Sequence, residues 1–208
     1  MIFISFEGGE GSGKTTQIQL LIDYLTARDL PVAAMRDPGG TPIAEKIRTV
    51  LKDKKNNALT ARAEALLYFA SRSQMVETLV RPHLDEGTIV ICDRFTDSTT
   101  VYQGHANGLN LDELEFIGNF ATGGLIPNLT FLLEIEPEAG LARKAAQGKL
   151  DRMEAKGLEF HRRVAAGYAH LAKSNPGRII TIDAGLPVNE IHEIVVAHVE
   201  EVLDTQTN

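Results

Sequence analysis

A chain of 208 residues is long for one average domain and short for two, so the length favours a single domain over residues 1–208. The hydrophobic share of 43% and the charged share of 24% are ordinary globular values, and the net charge of −7 argues against a nonspecific nucleic-acid or membrane-surface binder. No apolar run approaches the roughly 18 residues of a membrane span, and the N-terminus lacks the basic stretch of a signal peptide. The one cysteine, Cys92, cannot form an intramolecular disulfide, which predicts a reducing, cytoplasmic location.

Short apolar runs alternate with longer amphipathic stretches along the whole chain. Near-continuous apolar strands separated by helices predict a parallel sheet covered on both faces, an α/β three-layer sandwich with about five strands. In chain order, the pattern predicts strand Ile2–Phe6, helix Lys14–Arg28, strand Val32–Met35, helices Pro42–Leu51 and Ala61–Leu84, strand Thr88–Cys92, helix Leu111–Ala121, strand Thr130–Ile135, helices Pro137–Ala146 and Met153–Lys173, strand Arg178–Ile182, and helix Pro187–Leu203.

The segment FEGGEGSGKTTQ follows the first predicted strand, contains the P-loop pattern G-x-x-x-x-G-K-[ST] and opens the first predicted helix. Glycines in such a loop let backbone N–H groups turn toward phosphate oxygens, and the helix N-terminus adds partial positive charge. Lys14 is expected to reach the terminal phosphates, and Thr15 to offer its hydroxyl to Mg²⁺. The predicted phosphate-binding residues are Gly8, Gly9, Glu10, Gly11, Ser12, Gly13, Lys14, Thr15 and Thr16.

A charged pair, Asp93 and Arg94, follows the predicted strand Thr88–Cys92. The carboxyl ends of strands line the ligand crevice in open α/β sheets. Asp93 is therefore expected to hold the metal ion or its water, and Arg94 to clamp a phosphate. The alternative is an ion pair that only caps the strand.

Three classes of P-loop protein compete for this sequence. A GTPase would normally carry an N-K-x-D segment, which is absent, and an ATPase motor usually needs more domains or a longer core. A small-molecule kinase needs a second anionic site that faces the first, and arginines near the other predicted strand ends supply one. The pattern therefore favours a kinase, with a P-loop ATPase that acts on a protein partner as the alternative from a different class.

Six segments occur in order between residue 6 and residue 185: FEGGEGSGKTTQ, RDPGGTPIAEKIR, LLYFASRSQ, DRFTDSTTVYQG, GKLDRMEAKGLEFHRRV and TIDAG. Together they resemble the bacterial thymidylate kinase family of P-loop nucleoside monophosphate kinases. Other nucleoside monophosphate kinases share the first segment but lack the rest. The resemblance implies transfer of the γ-phosphate of ATP to dTMP, giving dTDP and ADP for dTTP biosynthesis, with Mg²⁺ and in a homodimer.

The resemblance also assigns residues to the acceptor nucleotide. Arg48 matches the family arginine that meets the acceptor phosphate, with a solvated surface arginine as the alternative. Asp37 stands where the family usually has Glu, and it either contacts the acceptor or braces the turn formed by Pro and two glycines. Tyr68 and Arg72 lie four residues apart on one helix face, which suits stacking on a base and reading of a carbonyl edge.

The segment from Arg94 to Gln103 is expected to open a helix that faces the base and sugar. In the family, the Thr99 and Gln103 positions lie near the base, and the Tyr102 ring lies under the sugar, where a 2′-hydroxyl would clash. Ser98 joins these as a predicted substrate contact, although N-capping of the helix is the alternative for Ser98 and for Thr99.

Seven of the 21 basic residues fall between Arg143 and Arg163, which predicts a basic flap, or lid, at about residues 143–156 that closes over phosphates. Relatives often carry an arginine at the position of Gln147. Arg152 is the first choice for the lid base that contacts ATP and a catalytic candidate beside Lys14 and Arg94, followed by Lys149 and Arg143. A solvated helical surface is the alternative.

Glu10 places a carboxylate inside a loop that binds phosphate. The resemblance directs Glu10 toward the 3′-hydroxyl of the acceptor nucleotide and away from ATP. Because an acceptor phosphate is already a nucleophile near neutral pH, the mechanism needs no general base, and positioning with electrostatic stabilisation is expected to carry an in-line transfer.

Overall fold

The computed structural model describes residues 1–146, 148 and 151–207, so Gln147 and the predicted lid base Lys149 lie outside the described residues. Strands and helices alternate as the sequence pattern predicts. The strands are β1 (Phe3–Gly8), β2 (Val32–Arg36), β3 (Ile89–Asp93), β4 (Leu129–Glu134) and β5 (Ile179–Asp183). The α-helices are α1 (Lys14–Thr26), α2 (Pro42–Lys52), α3 (Ala61–Met75), α4 (Arg81–Asp85), α5 (Thr96–Thr99), α6 (Leu111–Thr122), α7 (Pro137–Ala146), α8 (Leu158–Ser174) and α9 (Val188–Thr207).

All five strands pair in parallel in the order β2-β3-β1-β4-β5, which confirms the predicted sheet. The sequence predicts a first strand that ends at Phe6. In the structure β1 continues through Glu7 and Gly8, which pair with Leu132 and Leu133 of β4. The strand therefore carries a fully buried carboxylate, Glu7, directly into the phosphate loop.

The predicted helix Ala61–Leu84 is one continuous helical segment with a change of hydrogen-bond pattern inside it. The α-helical part α3 gives way to a π-helical segment, Val76–Val80, and α4 follows. Pro82, in the first turn of α4, has no N–H to continue the α-helical ladder. A second π-helical segment, Thr100–Ala106, follows α5, and such segments often occur at functional sites.

Helix α8 begins five residues later than the predicted start at Met153. The Asp151 carboxylate accepts hydrogen bonds from the backbone N–H groups of Met153 and Glu154, at 2.8 and 2.9 Å, and Gly157 in extended conformation precedes the helix. A local side-chain bond of this kind competes with helix formation, so residues 151–156 form turns.

Apolar side chains fill both faces of the sheet. One cluster packs α1 and α9 against β1 and β4, and includes Leu21, Phe131 and Val195. A second cluster packs α3 and the first π-helical segment against the other face, and a third lies under α8. Phe69 of α3 is buried against α6. The carboxyl ends of the strands are left open between these layers.

No helix in the described part of the chain combines the length and the apolar content that crossing a bilayer requires.

Candidate active site

A cavity of about 510 Å³ opens at the carboxyl edge of the sheet. Its lining joins the phosphate loop, the turn after β2, helices α2 and α3, the segment after β3 and the two ends of the predicted lid. Although the whole chain carries a net charge of −7, basic side chains outnumber acidic ones here, eight to five. The basic residues are Lys14, Arg36, Arg48, Lys52, Arg72, Arg94, Arg143 and Lys144, and the acidic ones are Glu10, Asp37, Asp93, Asp151 and Glu154.

The phosphate loop is shaped by glycines that no larger residue could replace. Gly8 has φ of 139°, and a Cβ there would lie 2.4 Å from the Leu133 carbonyl oxygen. Gly11 has φ of 67°, and a Cβ there would lie 2.2 Å from the Gly140 carbonyl oxygen. The loop therefore packs tightly on β4 and α7, and its other side, with Ser12, Thr15 and Thr16, lines the cavity.

The Lys14 ammonium lies within the loop. It donates hydrogen bonds to the carbonyl oxygens of Gly8 and Gly9, at 3.2 and 2.9 Å, and to Ser12 Oγ at 3.2 Å. Burial, with repulsion from Arg94, lowers the pKa of Lys14 from 10.5 to about 8. An arriving phosphate would replace carbonyl oxygens with a full negative charge, which favours the protonated amine.

Arg94 is held in place from several sides. Its backbone adopts φ of 72°, and its guanidinium donates through Nη1 to Ser98 Oγ and to Tyr168 Oη, each at 3.1 Å. Nη2 donates to Glu10 Oε1 at 3.2 Å, and the guanidinium carbon lies 5.0 Å from the centre of the Tyr102 ring. Burial alone would lower the pKa of Arg94, but the surrounding tyrosines and carboxylates raise it well above its ordinary value.

The buried Glu7 carboxylate holds two of the side chains that contact Arg94, those of Ser98 and Tyr168, through hydrogen bonds. It accepts hydrogen bonds from the Phe95 backbone N–H at 2.7 Å, from Ser98 Oγ at 2.6 Å and from Tyr168 Oη at 2.7 Å. Burial raises the pKa of Glu7. Ser98 is therefore a link between Glu7 and Arg94, and the alternative that Ser98 caps the helix is wrong.

Glu10 faces the cavity beside Arg94. Its Oε1 also accepts a hydrogen bond from Tyr102 Oη at 2.9 Å. Burial alone would raise the pKa of Glu10, but the charges of Arg94 and Lys14 lower it, so the group is a carboxylate at neutral pH. The predicted sugar-side residues Glu10 and Tyr102 thus lie together.

Arg72, which is predicted to read the base of the acceptor nucleotide, is buried in the wall of the cavity. Its Nε donates to Asp37 Oδ2 at 2.5 Å, and Nη2 donates to Thr99 Oγ1 at 2.9 Å and to the Phe95 carbonyl oxygen at 3.1 Å. Arg72 Nη1 and Asp37 Oδ1 find no hydrogen-bond partner among the described residues. Asp37 thus braces Arg72, which is neither of the two roles predicted for it, and Thr99 holds Arg72 without capping a helix.

The other residues that are predicted to bind the acceptor nucleotide also line the cavity. Arg48 donates to the Pro38 carbonyl oxygen at 2.6 Å, so it reaches the turn after β2 and is not a free surface arginine. Tyr68 lies one helical turn before Arg72, and burial raises its pKa. Gln103 is buried in the second π-helical segment and lines the same wall.

Among the described basic residues of the predicted lid, fewer line the cavity than the sequence indicated. Arg143, which donates to the Ala184 carbonyl oxygen at 3.2 Å, and Lys144 line it. Arg152 instead pairs with Glu64 at 2.6 Å and lines a neighbouring cavity. A contact between Arg152 and ATP would require residues 151–156 to move, so this role stays a prediction.

The side chains predicted to hold a metal ion share the cavity edge. Thr15 lies in the first turn of α1, and Asp93 is the last residue of β3. Both residues line the cavity. Within the described residues, no cluster of three His, Cys, Asp or Glu side chains forms a metal site. A hydroxyl and one carboxylate suit Mg²⁺, which keeps several waters and binds through one or two carboxylates together with substrate phosphates.

Sequence reasoning missed four residues that the structure brings to this site. Arg36 and Lys52 line the cavity, and Glu7 with Tyr168 holds Arg94. Arg36 lies in the segment RDPGGTPIAEKIR and Glu7 in FEGGEGSGKTTQ. Both residues lie at or near the carboxyl end of a strand, and this position could have indicated a place in the site. Tyr168 carried no such indication, because a tyrosine on the buried face of a long helix reads as core.

Comparison with known proteins gives a consistent result. The model of the family described as thymidylate kinase matches residues 6–195. A thymidylate kinase of Symbiobacterium thermophilum is 47% identical over 202 residues, which cover 97% of this chain and 94% of that protein. A thymidylate kinase of Gloeobacter violaceus is 47% identical over 205 residues, with 98% and 96% covered. The crystal structure of thymidylate kinase from Ehrlichia chaffeensis is similar with a TM-score of 0.78 and 32% identity, covering 96% of this chain and 98% of that one.

Proposed function

The chain belongs to the thymidylate kinase family, and we propose that the cavity at the carboxyl edge of the sheet is where it transfers the γ-phosphate of ATP to dTMP. One observation carries this assignment. The phosphate loop and an arginine-lined pocket face each other across a single cavity, which is what direct transfer between two nucleotides requires. The enzyme is an ATP-dependent nucleoside monophosphate kinase.

The far end of the cavity supports a thymine base. Arg72 has an N–H group, Nη1, without a partner in the described part of the chain, and thymine offers its O4 carbonyl as an acceptor. Tyr68, one turn earlier, offers a ring for stacking, and Arg48 with Arg36 offers charge for the acceptor phosphate. The Tyr102 ring beside Glu10 is the proposed barrier to a 2′-hydroxyl, with Glu10 accepting from the 3′-hydroxyl.

The main obstacle to the reaction is repulsion between two polyanions. Unit charges at 4 Å repel by ~4 kcal/mol at an effective dielectric of 20, and each substrate carries more than one charge. Lys14 and Arg94 converge on the region between the two phosphate sites and are proposed to offset this repulsion while they align the reacting oxygens. The acceptor phosphate has a second pKa of about 6, so it attacks without a general base.

Thr15 and Asp93 are the proposed ligands of a magnesium ion, directly or through water. When bound, Mg²⁺ supplies charge neutralisation on the donor phosphates. We also propose that residues 1–208 form one domain with a lid at about residues 143–156 and that the protein is cytoplasmic. The buried free thiol of Cys92 supports this location.

The reaction is tested by incubating the protein with MgATP and, separately, dTMP, dUMP, UMP, CMP, GMP or AMP while ADP release is followed. We expect fast release with dTMP, slower release with dUMP and little with the others, and no release when EDTA removes the metal ion. Release of ADP that needs no acceptor would favour the alternative P-loop ATPase, and preference for another monophosphate would favour another nucleoside monophosphate kinase.

The lowered pKa of Lys14 predicts a pH dependence for ATP binding. Above a pKa of about 8 the free enzyme loses the Lys14 proton, and bound phosphates restore it by raising the pKa. Calorimetric affinity for ATP should therefore weaken roughly tenfold between pH 7 and pH 9, with proton uptake at the higher pH. Lys14→Arg keeps its charge and should show no such dependence. Equal pH profiles for both proteins would contradict the prediction.

We propose a homodimer in which α6 and α3 form the interface. Phe116 and Phe120, one turn apart on α6, are 76% and 86% exposed, and Leu66 on the neighbouring helix α3 is 53% exposed. Exposed aromatic side chains grouped in this way mark an association surface.

The double variant Phe116→Asp with Phe120→Asp should convert a dimer into a monomer in light scattering coupled to size exclusion, since it places charges inside the contact. Val188→Asp on α9, where the valine is 49% exposed, is the matched control and should leave the dimer intact. A monomeric parent protein would refute the proposal.

A further inference from the structure

A buried carboxylate with no assigned role, Glu64, stands between the base end of the cavity and the predicted lid. It lies in the first turn of α3 and is 2% exposed. It does not line the main cavity, so it has no direct path to a nucleotide there. Its neighbours come from the second π-helical segment, from Asn107 directly after it, and from residues 151–156.

The two oxygens of Glu64 have different partners. Oε1 accepts hydrogen bonds from Gln103 Nε2 at 2.9 Å and from Asn107 Nδ2 at 3.1 Å. Oε2 pairs with Arg152 at 2.6 Å, and Lys156 Nζ lies 3.9 Å from Oε1. Each of these neighbours presents N–H groups to the carboxylate, and both carboxylate oxygens have partners within the protein.

This arrangement decides which end of the Gln103 amide faces the cavity. A carboxylate only accepts hydrogen bonds, so the amide must turn its NH₂ group toward Glu64 and its carbonyl oxygen away from it. The reverse orientation would set the carbonyl oxygen against a negative charge. None of the described residues donates a hydrogen bond to Gln103 Oε1, and the side chain lines the cavity wall. A fixed acceptor is therefore presented to the base.

The polarity of that acceptor distinguishes pyrimidines. Thymine carries an N–H donor at N3 beside the O4 acceptor, whereas cytosine carries an acceptor at N3 beside the N4 amine. Gln103 Oε1 with Arg72 Nη1 forms an acceptor and a donor in the same wall, which complements thymine and opposes cytosine.

We propose that Glu64 is a positioning residue for base selection: it fixes the orientation of the Gln103 amide and so makes the site selective for a pyrimidine with an imide N–H. This rests on the proposed function, because it takes the base of the acceptor nucleotide to lie against Gln103. The same carboxylate holds Arg152 through its second oxygen, so the orientation of the base-reading amide and the docking of residues 151–156 share one anchor.

The test compares kcat/KM for dTMP and for dCMP in the parent enzyme and in Glu64→Gln. The new amide can offer its own NH₂ group to Gln103, so the Gln103 amide is free to reverse. We expect kcat/KM for dTMP to fall roughly tenfold and the ratio of dTMP to dCMP to fall at least as much, because one oriented hydrogen bond is lost and its reverse favours cytosine. Glu86→Gln is the matched control, since Glu86 is 72% exposed directly after α4 and lines neither cavity, and its ratio should equal that of the parent.

A double-mutant cycle separates positioning from a general structural effect. In a Gln103→Ala background Glu64→Gln should leave the dTMP to dCMP ratio unchanged, because the amide it acts through is gone. If Glu64→Gln folds poorly, Glu64→Asp keeps the charge for Arg152 and withdraws the carboxylate from the amide, so the ratio should fall there as well. A loss of kcat/KM that is equal for dTMP and dCMP, or a fall in their ratio that persists in the Gln103→Ala background, would overturn the proposal. A parent enzyme without dTMP-dependent ADP release would instead refute the proposed function.

Discussion

Replacing Arg94 with alanine should lower kcat about a thousandfold with the fold retained, because arginines that neutralise a transferring phosphoryl group contribute on this scale. The side chain is directed at the cavity by Ser98, Tyr168 and Glu10, with the ring of Tyr102 beneath it. These contacts fix the guanidinium before substrate binds, so little reorganisation is needed in the transition state. Single-turnover formation of dTDP measures the loss on the chemical step.

Arg81→Ala provides the matched control for Arg94→Ala. Arg81 is likewise held by hydrogen bonds, which it donates to the backbone carbonyl oxygens of Thr122 and Gly123, but it does not line the cavity. It should keep nearly the full kcat. Turnover of Arg94→Ala within a few fold of the parent enzyme would remove Arg94 from the proposed mechanism.

Much of the fold could be predicted because local pattern and tertiary structure agree in it. Buried parallel strands are apolar nearly throughout, so each of the five could be predicted from the sequence. The glycines and the lysine of the P-loop pattern predicted the loop between β1 and α1. The errors lie where a side chain overrides local propensity. Asp151 bonds to the backbone ahead of α8 and delays that helix, and Pro82 interrupts the α-helical pattern of the long segment before β3.

Site residues could be predicted where a charged residue directly follows a predicted strand. They could not be predicted where the site depends on a contact between residues that are far apart in the sequence. Asp93 and Arg94 stand at the end of β3, and Lys14 follows the loop after β1, so the sequence order alone places all three in the crevice. The contact of Tyr168 with Glu7 joins residues far apart in the chain, and only the packing of α8 on the sheet creates it. The same holds for Arg152, whose charge suggested a phosphate contact, while its partner Glu64 lies on α3, far away in the chain.

Replacing Lys14 with methionine should likewise lower kcat about a thousandfold, because a buried, preorganised donor aimed at developing negative charge is lost. Methionine retains most of the length and volume of lysine. Lys14→Arg is the matched variant that keeps the charge with a different shape, and we expect it to recover part of kcat. Measuring kcat for both at saturating ATP and dTMP separates charge from geometry.

The same substitution should not destabilise the protein, and this separates loss of chemistry from loss of folding. Because the folded state holds the pKa of Lys14 near 8 and the unfolded chain near 10.5, the unfolded state binds more protons between these values. The destabilisation from protonation of this group is therefore fully present below pH 8, at about 3 kcal/mol with the hydrogen bonds of the ammonium already included, and it disappears as pH rises to 10.5. At pH 7 Lys14→Met removes a buried cation together with those hydrogen bonds, so its Tm should equal or exceed that of the parent. A Tm several degrees lower would mean that the loop needs the ammonium for its own structure, and the loss of kcat could then no longer be assigned to the transition state.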